Sequence, residues 1–316
     1  MAKSTPLVSV ILAAGRGTRM RSAVRPKVCH PLRGRAVIAR AISLYSKMEI
    51  ESHIIVVGEG AEHVMREAAS ISDCVLCCLQ PDPLGTGNAA RIAVRALAAT
   101  GYSGDVLIVA GDKILTAAAL EKLLDRFYSS RADLAFLVAG EEDFPSAGRV
   151  CYDQQGVPCA IFEKADLALA QLVRQLGAEA DPDRLAPELV RALALRLFGR
   201  ESAARKGLGR VWDQIESGRA VSLSLFPQPR IAHPEATGLR SANLSVYAGR
   251  MAPLIRALEG LTRDNAQNEE YLTDIVASLA RDGARLTAVP VDSPRQVQAF
   301  NTPEELAQIE AQWEDE

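Results

Sequence analysis

The chain has 316 residues, 48% hydrophobic and 24% charged, which is enough to bury a sizeable core in one large or two modest domains. A net charge of -3 argues against bulk binding to nucleic acid or to an anionic membrane surface, so any phosphate recognition has to be local. No apolar run approaches the roughly 18 residues of a membrane span, and Met1-Ala2-Lys3-Ser4-Thr5-Pro6 lacks a signal-peptide pattern, which together predict a cytoplasmic protein.

The first predicted element is a strand over residues 8–12. It breaks into Ala13-Ala14-Gly15-Arg16-Gly17-Thr18-Arg19-Met20, with Pro26-Lys27 behind it. A strand that ends in a glycine-rich turn carrying basic residues is a phosphate-handling device. Gly15 and Gly17 can take backbone angles closed to other residues and admit a ligand close to the main chain. Successive N–H groups in such a turn form an anion-binding nest, and Arg19 and Lys27 supply positive charge. The string is not a Walker A loop. Met20 stands where the dinucleotide fingerprint would need its third glycine.

Downstream, strands and helices alternate: a helix over 36–48, a strand over 54–58, a helix over 61–69, a strand over 75–79, a helix over 87–99, a strand over 106–109, a helix over 117–130 and a strand over 134–138. This order predicts an α/β fold, a doubly wound, mostly parallel, Rossmann-like sheet. Such sheets bind ligands beyond the carboxyl ends of their strands. Gly15, Gly85 and Asp112 all fall at or just after strand ends, so they should converge there. Cys74, Cys77 and Cys78 lie in the strand-like segment 73–79, without the further Cys or His that a zinc site needs. They read as buried, reduced thiols.

Residues 165–235 are helix-rich. Helices are predicted over 165–176, over 187–198 with Pro187 in the first turn, and over 211–217 after a loose stretch at 205–210. Apolar stripes through Leu169, Leu172, Val173 and Leu176, then Leu189, Leu193 and Leu197, need a partner surface. A strand over 241–247, helices over 251–261 and 271–281, a strand over 286–291 and a helix over 303–313 follow, the last with Thr302 as N-cap.

The glycine-rich run, together with Pro26-Lys27-Val28-Cys29-His30-Pro31-Leu32, resembles the sugar-nucleotidyltransferases. Within them it is most similar to the uridylyltransferase domain of the bacterial bifunctional N-acetylglucosamine-1-phosphate uridylyltransferases. Gln80 with Leu84-Gly85-Thr86-Gly87 resembles that family's uracil-recognition stretch, and Ala110-Gly111-Asp112 its metal-binding strand end. Asn265-Ala266-Gln267-Asn268-Glu269-Glu270-Tyr271-Leu272-Thr273-Asp274-Ile275 resembles its most specific string. The resemblance covers residues 6–165 and 236–312. It implies one nucleotidyltransferase domain over 1–316 with a helical insertion at 165–235, while the hexapeptide repeats of that family's acetyltransferase domain are not expected in this sequence.

The implied reaction joins UTP to N-acetylglucosamine 1-phosphate and releases pyrophosphate, with Mg²⁺ as cofactor. By resemblance, Asp112 and Asn301 hold the metal, and Arg19 and Lys27 hold the triphosphate and stabilise developing charge. Ala13, Ala14, Gly15, Gly17, Thr18, Gln80, Gly85 and Thr86 bind the nucleotide, while Gly148, Glu163 and Asn243 bind the sugar. The partners are thus small-molecule substrates, a nucleoside triphosphate and a sugar 1-phosphate, with neither nucleic acid nor membrane, and the oligomeric state stays open. The alternatives are another sugar phosphate or base, or a non-catalytic nucleotide-sugar sensor. At single positions, Asp112 could cap the following helix, Asn301 could be a turn residue, Glu163 and Lys164 could form a surface ion pair, and His30 could be a core histidine. Three features depart from the family: Lys113 after the metal aspartate, an extra residue in Arg21-Ser22-Ala23-Val24-Arg25, and the insertion. They bear on the sugar's identity more than on the reaction.

Overall fold

The structure, a computed structural model, describes residues 6–15, 17–22, 25–179, 181–227, 239 and 241–313, with Thr18 in its backbone only. Among the described residues thirteen strands run in chain order: β1 Leu7–Leu12, β2 Pro31–Leu32, β3 Arg35–Ala36, β4 Ser52–Val57, β5 Val75–Leu79, β6 Asp105–Ala110, β7 Lys113–Leu115, β8 Leu134–Gly140, β9 Arg149–Tyr152, β10 Pro158–Phe162, β11 Ser241–Arg250, β12 Leu286–Pro290 and β13 Val297–Ala299. Nine of them form the central sheet, in the order β5-β4-β1-β6-β11-β9-β10, with β8 also on β11 and β12 on β8.

The first four sheet strands pair in parallel. β1 is central because it is apolar on both faces. Leu7 and Ile11 face the core under helices Val37–Lys47, Ala61–Ala69 and Ala117–Ser129. Val8 and Val10 face the core under helices Thr86–Ala99, Met251–Glu259 and Asp274–Arg281. A strand buried on both faces reads as a continuous apolar run, which Leu7–Leu12 does apart from Ser9. The Ser9 hydroxyl is matched to His53 Nδ1 at 2.8 Å, and Ser46 Oγ lies 3.3 Å from Nε2. Burial pushes the His53 imidazole down to about 4.

The doubly wound expectation holds for this half. The other half is mixed: β11 runs antiparallel to β6, β8 and β9, and β9 and β10 form a hairpin that the periodicity does not reveal. Helix Asp274–Arg281 starts three residues later than the pattern predicts, because Tyr271–Thr273 is drawn into loop contacts described below. Helix Glu201–Leu208 runs into the stretch 205–210 read as loose, and the next helix begins at Arg210.

The cysteine expectation needs correction. β5 is an edge strand, so Cys74 is exposed, Cys77 and Cys78 are half-buried, and Leu76 and Leu79 stand 60% and 62% exposed. All three cysteines are free thiols.

Helices Lys164–Leu176, Pro187–Phe198, Glu201–Leu208 and Arg210–Glu216 build a separate small core around Leu169, Leu172, Leu176, Val190, Trp212 and Ile215. The predicted apolar stripes therefore find their partners in one another, and Ala266 joins them from the main body. Residues 228–238, where the expected insertion would end, lie outside the described residues.

Candidate active site at the strand ends

β1 hands the chain to the glycine-rich turn at Ala13, whose N–H donates to the Val56 carbonyl (2.8 Å). Gly17 has φ +57°, and a Cβ there would lie 2.8 Å from Lys27 Cβ. The loop can press against Lys27 only because this residue is glycine. Gly15 corrects the expectation: it keeps an ordinary φ and has open space about its α-carbon, so it leaves room in the cleft instead of relieving strain. Arg19 is exposed at the cleft mouth, while its neighbour Met20 is buried against Phe300 and Leu306, which anchors the loop. The Thr18 side chain and residues 23 and 24 of the 21–25 loop lie outside the described residues.

Lys27 is the hub. Its Nζ donates to Asp112 Oδ2 and to Asn301 Oδ1 (3.1 Å), and lies 5.2 Å from the Phe300 ring centroid. Asp112 follows β6 after Gly111. It does not cap the next helix, because Thr116 does so through its own hydroxyl, accepting from Ala119 N–H. Burial alone would raise the Asp112 carboxyl. Lys27 and Lys113 outweigh burial and hold it below the usual carboxylate range. Asn301 arrives from the far end of the chain. β13 runs antiparallel to β7 with Ala299 opposite Lys113, which brings Asn301 back to Asp112. Thr302 Oγ1 caps the last helix by accepting from Glu305 N–H (3.2 Å), while the Glu305 carboxylate accepts from Asn301 N–H, and the two bonds fix Asn301 while leaving its amide oxygen for Lys27.

On one side of this hub lies a cleft of about 340 Å³ lined by Ala13, Ala14, Gly15, Gly17, Arg19, Lys27, Gln80, Gly85 and Thr86. Gly85 has φ +116°, and a Cβ there would sit 2.4 Å from the Glu270 carbonyl oxygen. That close approach is locked by Glu270 N–H to Leu84 O (2.7 Å), Gly87 N–H to Glu270 O (2.8 Å) and Leu272 N–H to Thr86 Oγ1 (3.2 Å). The Asn265–Ile275 string is therefore the backing of this cleft. Its role has no signal in the local pattern.

On the other side lies a cleft of about 620 Å³ lined by Lys113, Gly148, Glu163 and Asn243. Asn243 N–H donates to the Gly148 carbonyl (2.9 Å), and the Asn243 side chain bonds Tyr247 OH (2.7 Å) and Ser245 N–H (3.2 Å) across a bulge in β11. Glu163 is no surface ion pair: it accepts from the buried Thr273 hydroxyl (2.9 Å). Burial pushes its carboxyl up, and Asp166, Asp274 and Glu269 add to this against the Thr273 hydrogen bond. Thr273, which the pattern did not single out, lines neither cleft but holds Glu163 from behind. Lys113 is half-buried beside Asp112, and burial pushes its ammonium down against the pull of Asp112 and Glu163. His30 lines neither cleft, and its Nε2 has no partner among the described residues.

Asp112 and Asn301 line both clefts. Their oxygens already converge on one cation, the Lys27 ammonium, so this pair of hard donors suits a small divalent cation. Among the described residues, no described residue of the helical segment lines either cleft. It reaches the site indirectly, through Asp166 accepting from Ala266 N–H (2.9 Å) and the Lys206–Glu269 ion pair.

The profile of the MobA-like NTP transferase domain matches residues 9–268. The bifunctional protein GlmU of Mycobacterium marinum is 29% identical over 308 residues, covering 96% of this chain and 49% of that protein. The bifunctional protein GlmU of Pelotomaculum thermopropionicum is 29% identical over 305 residues, covering 96% and 51%. The chain thus spans about half the length of these relatives. A UTP-bound UGPase from Acinetobacter baumannii superposes with a TM-score of 0.60 at 16% identity, covering 97% of this chain and 93% of that one, a likeness of fold. No described helix is long and apolar enough to cross a membrane.

Proposed function

The chain belongs to the MobA-like NTP transferase domain family, and on that premise we propose that it transfers the uridylyl group of UTP to N-acetylglucosamine 1-phosphate, releasing pyrophosphate. The observation that carries this reading is the meeting of two clefts at Asp112 and Asn301, beside Lys27. A nucleotide in the Gln80 cleft and a sugar phosphate in the Glu163 cleft would bring their phosphates together at that junction. The choice of UTP and of this sugar rests on the Pro26–Leu32 and Asn265–Ile275 strings and on the GlmU relatives.

The acceptor phosphate oxygen is already an anion, so it attacks the α-phosphorus without a general base. The bond to the bridging oxygen breaks and the electron pair leaves with pyrophosphate. The barrier is charge repulsion and alignment. Lys27 and Arg19 supply positive charge to the phosphates, and Lys27 is held ready by Asp112, Asn301 and the Phe300 ring. Asp112 and Asn301 would hold Mg²⁺ with retained waters, which would neutralise phosphate charge. Ala14, Gly15, Gln80 and Gly85 face the base, while Glu163 and Asn243 receive sugar hydroxyls against the bare Gly148.

Pyrophosphate release, measured with four nucleoside triphosphates against a set of sugar 1-phosphates in Mg²⁺, tests the reading. UTP with N-acetylglucosamine 1-phosphate should give the highest kcat/KM. No turnover with any pair would overturn the reaction, and binding of a UDP-sugar without turnover would favour a sensor.

A further inference from the structure

A buried chain of polar side chains runs from helix Thr86–Ala99 to the wall of the Gln80 cleft. Arg91 Nη2 donates to Glu270 Oε1 (2.8 Å) and lies 2.6 Å from Oε2, with the two side chains only 17% and 10% exposed. Glu270 Oε2 accepts from Asn88 Nδ2 (3.3 Å), Asn88 Oδ1 accepts from Gln80 Nε2 (3.0 Å), and Gln80 Nε2 also donates to the Gly85 carbonyl (3.1 Å).

The direction of this chain is dictated from its outer end. Guanidinium can only donate and carboxylate can only accept. The end of Asn88 that meets Glu270 must therefore be its NH₂, so the end that meets Gln80 is its oxygen. Gln80 must then turn its own NH₂ inward, and the Gly85 carbonyl demands the same. Amide orientation in a structure is assigned from just such networks, and here both constraints on Gln80 agree. What remains is Gln80 Oε1. No described residue donates to it, although Gln80 is 7% exposed and lines the cleft.

We infer that Arg91 and Glu270 are positioning residues for base selection: they lock Gln80 with its carbonyl toward the base, so that the cleft prefers uracil, whose ring nitrogen N3 carries a proton, over cytosine, whose N3 carries a lone pair. This rests on the reading of the Gln80 cleft as the nucleotide site. With uracil the carbonyl meets a donor. With cytosine two acceptors face each other in a partly desolvated wall, and a site built to hydrogen-bond one partner rejects the analogue that cannot. The pattern hides this device, because Glu270 reaches positions 88 and 91 from 182 and 179 residues further along the chain.

The test is calorimetric binding of UTP and of CTP to the full chain in Mg²⁺, with thermal unfolding of each variant alongside. Glu270→Gln keeps size and an acceptor for Arg91 but offers NH₂ to Asn88, which lets the amides turn over. The UTP-to-CTP affinity ratio should fall about tenfold, UTP weakening and CTP tightening, the scale of one exchanged hydrogen bond. Arg91→Lys still only donates and should keep the wild-type ratio. If Glu270→Gln does not fold, Arg91→Leu with Glu270→Leu removes both polar ends at similar volume, an exchange buried ion pairs often tolerate, and the ratio should fall there too. An unchanged ratio in whichever of these variants folds would overturn the inference. So would an equal loss in Arg91→Lys, or a wild-type protein with no preference for UTP. Because the readout is binding, it stands apart from turnover: failure with every sugar phosphate would sink the proposed reaction and leave this ratio to be read.

Discussion

The cleft on the Gln80 side is walled by main chain. Gly17 presses on Lys27, Gly85 on the Glu270 carbonyl, and three hydrogen bonds donated by main-chain N–H groups tie the 84–87 loop to residues 270–272. The cleft on the Glu163 side is walled by side chains, with Glu163 and Asn243 propped by Thr273 and Tyr247 from neighbouring elements. The difference has a consequence for substitution. A wall of backbone cannot be altered without moving a loop, so stability and nucleotide binding should fall together. A wall of side chains can be trimmed one group at a time, so sugar binding should fall alone. The junction belongs to both clefts and should control turnover instead of either affinity.

The largest effects therefore belong at the junction. Asp112→Ala should lower kcat by at least about 10³, with its melting curve close to wild type, because it removes the carboxylate that would hold the phosphate-neutralising cation in the proposed reaction. Near-normal turnover at limiting Mg²⁺ would show that assignment to be wrong. Lys27→Ala should lower kcat by about 10²–10³, the scale of one preorganised charge donor.

Next comes the backbone wall. Gly85→Ala combines a φ of +116° with a Cβ at 2.4 Å from a backbone oxygen that has no room to move. We expect a loss of about 1–3 kcal/mol in urea unfolding, together with a rise in KM for UTP and an unchanged KM for the sugar phosphate. A variant as stable as wild type would erase the contrast between the two walls.

What the sequence made legible follows the same division. The Gly15–Lys27 loop, Gln80, Gly85 and Asp112 lie in short strings at the ends of parallel strands, where an apolar run and its following turn are adjacent in the chain. The sheet half built from β1, β4, β5 and β6 was readable for that reason. The residues of the Glu163 cleft were reached only through family resemblance. Gly148, Glu163 and Asn243 meet through an antiparallel β11, its bulge and the β9–β10 hairpin, all of which depend on non-local pairing. The edge position of β5 was invisible for the same reason, and this is why its cysteines were expected to be buried. Arg91 and Glu270 carried no signal, since an ion pair between residues 179 positions apart leaves no local trace.

The smallest effect expected lies behind the sugar wall, at Thr273. Its hydroxyl donates to Glu163 and favours the charged carboxylate, against the burial that pushes Glu163 up. On the proposed reading, a charged Glu163 would accept hydrogen bonds from sugar hydroxyls. As pH falls through its raised pKa it takes a proton and loses part of that capacity, so KM for the sugar phosphate should climb on the acid side while KM for UTP stays flat. Thr273→Val deletes the one hydrogen bond that opposes the upward shift. The climb should then begin at higher pH, with a rise of about fivefold in the sugar KM at neutral pH, the scale of one neutral-donor hydrogen bond. Thr273→Ser keeps the hydroxyl and should restore the wild-type profile, which a mere packing role for Thr273 would not produce. If both KM values move together in Thr273→Val, the sugar wall is coupled to the 270–272 backing of the nucleotide cleft, and the two clefts are one mechanical unit after all.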